Sequence, residues 1–229
     1  IDARGVATLT FNRPDKHNAM NTQFCNDMHA ALADLAADNA VRVIVTTGAG
    51  ESFSAGGDLA WMRAQADSDR AGRMAEARHF ALMLRRLDQM PKPVVARVNG
   101  PAYGGGIGMI SVADIAIGAD HCRFGLTEVR LGLIPATISP YVLARIGPAH
   151  ARRWFINGRF FDAATAQGMG LLHEGVAAED QDAAVEREVV AMLNAAPTAI
   201  SLSKGLITHM AAHPACLLYT SPSPRDTRR

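Results

Sequence analysis

The chain has 229 residues, a formal net charge of +1, 48% hydrophobic residues and 20% charged residues. This balance fits a globular protein with a sizeable core and excludes a disordered or fibrous chain. A charge this close to neutral gives no support for recognition of nucleic acid or an anionic membrane through bulk electrostatics, and the apolar runs are far short of a membrane span. The three cysteines, Cys25, Cys122 and Cys216, are odd in number and widely spaced, as in a reduced, cytoplasmic protein. No secretory leader pattern opens the chain.

Residues 5–11 (GVATLTF) read as a strand, ended by a turn at Asn12-Arg13-Pro14-Asp15. Residues 22–37 have helical period, with Met28, Leu32 and Leu35 on one face. Residues 41–47 (VRVIVTT) form a β-branched strand, followed by the glycine turn Ser54-Ala55-Gly56-Gly57-Asp58. Asp58 is placed to cap the helix after that turn. A long helix over residues 70–90 carries Ala77, Phe80, Leu84 and Leu87 on one stripe, and Pro91-Lys92-Pro93 stops it. A strand at 94–98 leads into Gly104-Gly105-Gly106-Ile107-Gly108, which opens another helix. A short strand covers 114–118, and helices are predicted near 149–156, 163–168, 180–193 and 197–212. Strands and helices alternate early and helices dominate late, which predicts an α/β core with a helical C-terminal part. The sequence holds no internal repeat of 20–50 residues.

Four glycines in the five positions 104–108 need a reason, because glycine costs about 0.5–1 kcal/mol relative to alanine inside an element. Close approach of the backbone to a ligand is one reason, and close helix packing is another. Exposed N–H groups at a helix start favour negative charge. Two such turns aimed at one point suit a developing oxyanion, such as the enolate of an acyl group. The plain alternative for either turn is a tight strand-to-helix connection. A dinucleotide loop fails on spacing: a frame opened at Gly104 ends on Met109, and one opened at Gly106 ends on Ser111.

Glu128 lies in the mostly apolar run Gly125-Leu126-Thr127-Glu128-Val129-Arg130-Leu131-Gly132. If buried, its carboxyl has a raised pKa suited to proton transfer; the alternative is a surface glutamate on a turn capped by Thr127. His209 and His213 are four apart on a helix, but no third ligand is near, so no metal site is expected.

Several segments carry a resemblance when taken in order. They are Asn12-Arg13-Pro14 with Asn18-Ala19-Met20, Phe53-Ser54-Ala55-Gly56-Gly57-Asp58-Leu59, Pro91-Lys92-Pro93, Val98-Asn99-Gly100, Gly104-Gly105-Gly106, Asp114-Ile115-Ala116-Ile117, and Phe124-Gly125 on to Leu133-Ile134-Pro135. With them the chain resembles the crotonase (enoyl-CoA hydratase/isomerase) superfamily up to about His213. The resemblance implies an α/β crotonase-like fold. A ββα superhelical core spans 1–147, a truncated helical part spans 148–214, and a non-native tail follows over 215–229. That tail carries three arginines and one aspartate, so the remainder has a net charge of −1. It resembles adaptor read-through and is expected to be poorly ordered.

By the same resemblance the N–H groups of Ala55 and Gly105 form an oxyanion hole for the thioester carbonyl, and Glu128 faces C2 of the substrate. Gly56, Gly57 and Asp58 line the pantetheine. Lys16, Asn18, Ala19 and Leu59 lie near the nucleotide end, and Gly104, Gly108 and Pro135 line the substrate. The partner is an acyl-CoA thioester, coenzyme A arrives with the substrate, and no metal or other cofactor is implied. The family implies a homotrimer or a dimer of trimers. The hydratases have a first glutamate where this chain has Gly108. Glu128 then acts alone in a hydratase, or the chain is an isomerase with a single base, or the space at Gly108 admits a larger acyl group. The segments 58–62, 126–130 and 132–138 resemble bacterial methylglutaconyl-CoA and γ-carboxygeranoyl-CoA hydratases. Their substrates carry a second carboxylate, for which Arg130 is the candidate partner. A non-enzymatic, RNA-binding reading is the remaining alternative.

Overall fold

The computed structural model describes residues 1–212. The expected tail, Cys216 and His213 lie outside the described residues. Sixteen elements follow in order: β1 (Val6–Phe11), α1 (Thr22–Ala37), β2 (Val43–Gly48), α2 (Leu59–Asp67), α3 (Arg70–Asp88), β3 (Val94–Val98), β4 (Ala102–Tyr103), α4 (Gly105–Ser111), β5 (Ile115–Ala119), β6 (Arg123–Gly125), α5 (Ser139–Asn157), β7 (Phe160–Asp162), α6 (Ala163–Gly168), β8 (Glu174–Val176), α7 (Gln181–Leu193) and α8 (Pro197–Ala212). Five strands form one parallel sheet in the order β1-β2-β3-β5-β8, and β4-β6-β7 form a second, smaller sheet. The α/β expectation therefore holds.

The two sheets are wound together as a coil. After β2, Ser54 bridges to Ala102 of β4 in parallel, and Ala102 pairs in parallel with Phe124 of β6. Each turn of the coil runs from a strand of the large sheet, through a short stretch of the second layer, to a helix or helical turn: β2, Ser54, α2; then β3, β4, α4; then β5, β6 and the 3₁₀ turn Glu128–Leu131. The repeat is structural. It leaves no repeat in the sequence because the excursions between matched positions differ in length.

Phe11, Phe53, Phe124, Ile107 and Leu84 are fully buried in one continuous core that runs from Ala7 to Leu172. This core crosses the 147/148 boundary, and that boundary falls at a kink inside α5, where Gly147 has φ 73°. The two predicted parts thus share one interior. Pro148 follows the kink, which explains why only the second half of this helix is legible in the sequence. The strands β4, β6, β7 and β8, of two or three residues each, are too short to show an alternating pattern. Among the described residues no single helix is long and apolar enough to cross a membrane.

Candidate active site

The glycine turns meet because they occupy the same place in successive turns of the coil. Gly57 lies three residues past Ser54 and Gly105 three past Ala102, the two residues that the bridge brings opposite each other. Gly56 has φ 84°, and a Cβ there would lie 2.6 Å from the Tyr103 carbonyl oxygen and 3.1 Å from the Gly105 nitrogen. Only glycine fits so close an approach. In the next turn, Glu128 opens the 3₁₀ turn and sets its carboxyl over Gly104, where a Cβ would come within 2.8 Å of Oε1.

The Ala55 expectation is corrected. Its N–H donates to the His17 carbonyl at 2.8 Å and is spent on the fold. The Gly57 and Gly105 N–H groups have no acceptor among the described residues. Gly105 is the first residue of α4, where the first N–H groups of a helix lack intrahelical partners. The open donors are therefore Gly57 and Gly105, and the register of the coil, not the local motif, distinguishes Gly57 from Ala55.

Glu128 is half-buried, and its Oε2 is enclosed with no hydrogen-bond partner among the described residues. Burial raises its pKa above the ordinary carboxylate value. The surface-glutamate alternative fails on this burial, and the Thr127 side chain makes no capping hydrogen bond.

Asp58 caps α2 as expected, accepting from Ala60 N at 3.0 Å and Trp61 N at 3.2 Å, and pairs with Arg13 at 3.0 Å. Partial burial works against its ionisation, but these partners outweigh it and hold the pKa down. Its carboxylate thus fixes the turn that presents Gly57. Behind the turn, a Cβ on Gly57 would meet the Met62 sulfur at 3.1 Å. The Trp61 indole N–H donates to the Thr22 hydroxyl at 2.9 Å, which donates to Glu76 at 2.7 Å, tying α1, α2 and α3 together.

Other expected binding residues take structural places. Asn18 is fully buried, with φ 54°. It donates to the Ala49 and Ser52 carbonyls at 2.9 and 2.7 Å and accepts from Arg13 N at 2.9 Å. Its side chain is therefore unavailable to a ligand. Ala19 is buried, and its carbonyl accepts from the Arg13 guanidinium. Lys16 and Leu59 are exposed, and Pro135 is buried with its carbonyl accepting from Ser139 N at the start of α5. Arg130 lies 5.1 Å from the centre of the Phe160 ring and packs toward Gly158, at the α5–β7 corner.

Gly108 does not open room for a ligand. A Cβ there would lie 2.4 Å from Cγ2 of Ile138, so this side chain fills the space a glutamate would enter. Ile138 and Phe80 are site residues that the sequence did not single out for chemistry. Phe80 sits on the legible stripe of α3, and its ring would touch a Cβ on Gly105 at 3.3 Å. Among the described residues no group of three metal-ligating side chains occurs.

Over residues 2–215 the sequence matches the family described as enoyl-CoA hydratase/isomerase. The fold is similar to the crystal structure of an enoyl-CoA hydratase from Shewanella pealeana, with TM-score 0.90 and 36% identity, covering 93% of this chain and 79% of that one. The sequence is 34% identical to a 4-chlorobenzoyl coenzyme A dehalogenase of Arthrobacter, over 85% of this chain and 71% of the relative. It is 32% identical to the enoyl-CoA hydratase ACTT6 of Alternaria alternata, over 90% of this chain and 67% of the relative.

Proposed function

Because the chain belongs to the enoyl-CoA hydratase/isomerase family, we propose that it adds water across the double bond of a 2-enoyl-CoA, using the Gly57 and Gly105 amides and a single carboxyl group. The observation that carries this reading is the Glu128 carboxyl set over Gly104, with its Oε2 enclosed and unpartnered, beside two N–H donors that lack acceptors.

The thioester oxygen sits between the two amides. The Glu128 carboxylate takes a proton from water as the new C3–O bond forms, and the π electrons move onto the thioester oxygen. The two donors hold that enolate, and each is worth about 2.7–4 kcal/mol of barrier. Glu128 then returns the proton to C2 as the enolate collapses, so one molecule of water is added in all. A raised pKa suits a group that must both take and give this proton near neutrality.

The substrate is a branched, carboxylated enoyl group such as 3-methylglutaconyl-CoA, a reading supported by the resemblance of segments 126–130 and 132–138. An isomerase is the second reading, favoured by Ile138 standing where another carboxylate would have to enter. One base suffices to move a proton between C2 and C4.

Glu128→Gln tests the assignment. Turnover of 3-methylglutaconyl-CoA is expected to fall roughly 10²–10⁴-fold, with thioester binding retained. Full activity in this variant contradicts the role of Glu128. The product mass separates the two reactions, since hydration adds the mass of water and isomerisation adds nothing. A clear preference of the wild type for crotonyl-CoA contradicts the branched substrate.

A further inference from the structure

An open groove of about 620 Å³ runs along α3, opposite the segment before α5. Met74, Ala77, Arg78 and Ala81 line one side, and Ala136 and Thr137 the other. Two of its lining residues adjoin site residues in the chain: Ala81 follows Phe80, which lies against Gly105, and Thr137 precedes Ile138, which lies against Gly108. The lining is small and apolar apart from the Thr137 hydroxyl and one cation.

Arg78 forms no ion pair among the described residues. Its neighbours one helical turn away on α3 are Met74, Ala75, Ala81 and Leu82, none of them acidic. Glu76, the nearest acid in sequence, is committed to the Thr22 hydroxyl on the side of α1. Arginine recognises a carboxylate with two parallel N–H donors.

We infer that this groove receives the distal end of the acyl chain and that Arg78 selects acyl groups ending in a carboxylate. The inference rests on the acyl-CoA reading above and replaces Arg130, which stacks on Phe160, as the residue that recognises the second carboxylate. It makes Arg78, on α3, a specificity residue.

Binding of saturated thioesters tests this without relying on turnover. Glutaryl-CoA carries the distal carboxylate and butyryl-CoA lacks it, and calorimetry gives the ratio of their affinities. The wild type is expected to favour glutaryl-CoA, and R78Q to reduce that ratio about tenfold. R78K should restore part of it, as a point charge without the bidentate fork. R152Q, on α5, removes the same charge elsewhere and should leave the ratio unchanged. An R78Q ratio equal to that of the wild type overturns the assignment of Arg78 and leaves the acyl-CoA reading standing. Failure of the wild type to bind either thioester overturns both.

Discussion

The Oε2 atom of Glu128 is enclosed without a partner among the described residues, and such an atom destabilises a folded chain unless it is protonated or meets a ligand. Burial raises the carboxyl's pKa, so the folded state binds this proton more tightly than the unfolded state does. The sign follows from linkage. Well below pH 4 the side chain is neutral in both states, and Glu128 and a glutamine in its place are nearly equivalent. As pH climbs past about 4.3, the ordinary glutamate value, the unfolded chain gains by ionising and the wild type loses relative stability. Glu128→Gln should therefore raise Tm, by more at pH 8 than at pH 4, while lowering turnover. A Tm difference independent of pH would place the carboxyl in water. An apolar run around an acid made this burial an expectation in the sequence, but the enclosed oxygen depends on Gly104, a turn of the coil away.

Among the elements, α4 and the segment leading into α5 are fitted closely enough that Gly108 and Ile138 act as a pair. An alanine Cβ at 108 would stand 2.4 Å from Ile138 Cγ2, and overpacking of this kind costs about 1–3 kcal/mol. Ile138→Ala alone leaves a cavity and costs about 2–5 kcal/mol. In the double variant the new methyl enters the space vacated, so urea unfolding should show a combined loss smaller than the sum by about 0.5–3 kcal/mol. Strict additivity would mean the two side chains do not share that space. Here the sequence was misleading: a missing glutamate looked like room for substrate, whereas a residue thirty positions on fills it. The helices α1 and α6 were legible to their ends, because their caps and periodicity are local. The first half of α5 was not legible, since a glycine kink and two prolines obscure its period.

On the scale of the whole molecule, the coil turns two unremarkable strand-to-helix connections into one site. Its register sets Gly57 beside Gly105 and brings Glu128 over Gly104. The presence of two glycine turns and one acid was readable from the chain. Which amide of the first turn stays open was not, because the His17 carbonyl that takes up Ala55 comes from an earlier part of the coil. The account stands on two open amides polarising one thioester carbonyl. Gly105→Pro removes one donor at a helix position that tolerates proline, and Gly105→Ala keeps it. The carbonyl stretch of a bound, isotope-labelled enoyl-CoA reads the polarisation directly. We predict a fall in frequency on binding to the wild type and to Gly105→Ala, and a clearly smaller fall in Gly105→Pro. A frequency unchanged on binding, or equal in all three proteins, would contradict the account.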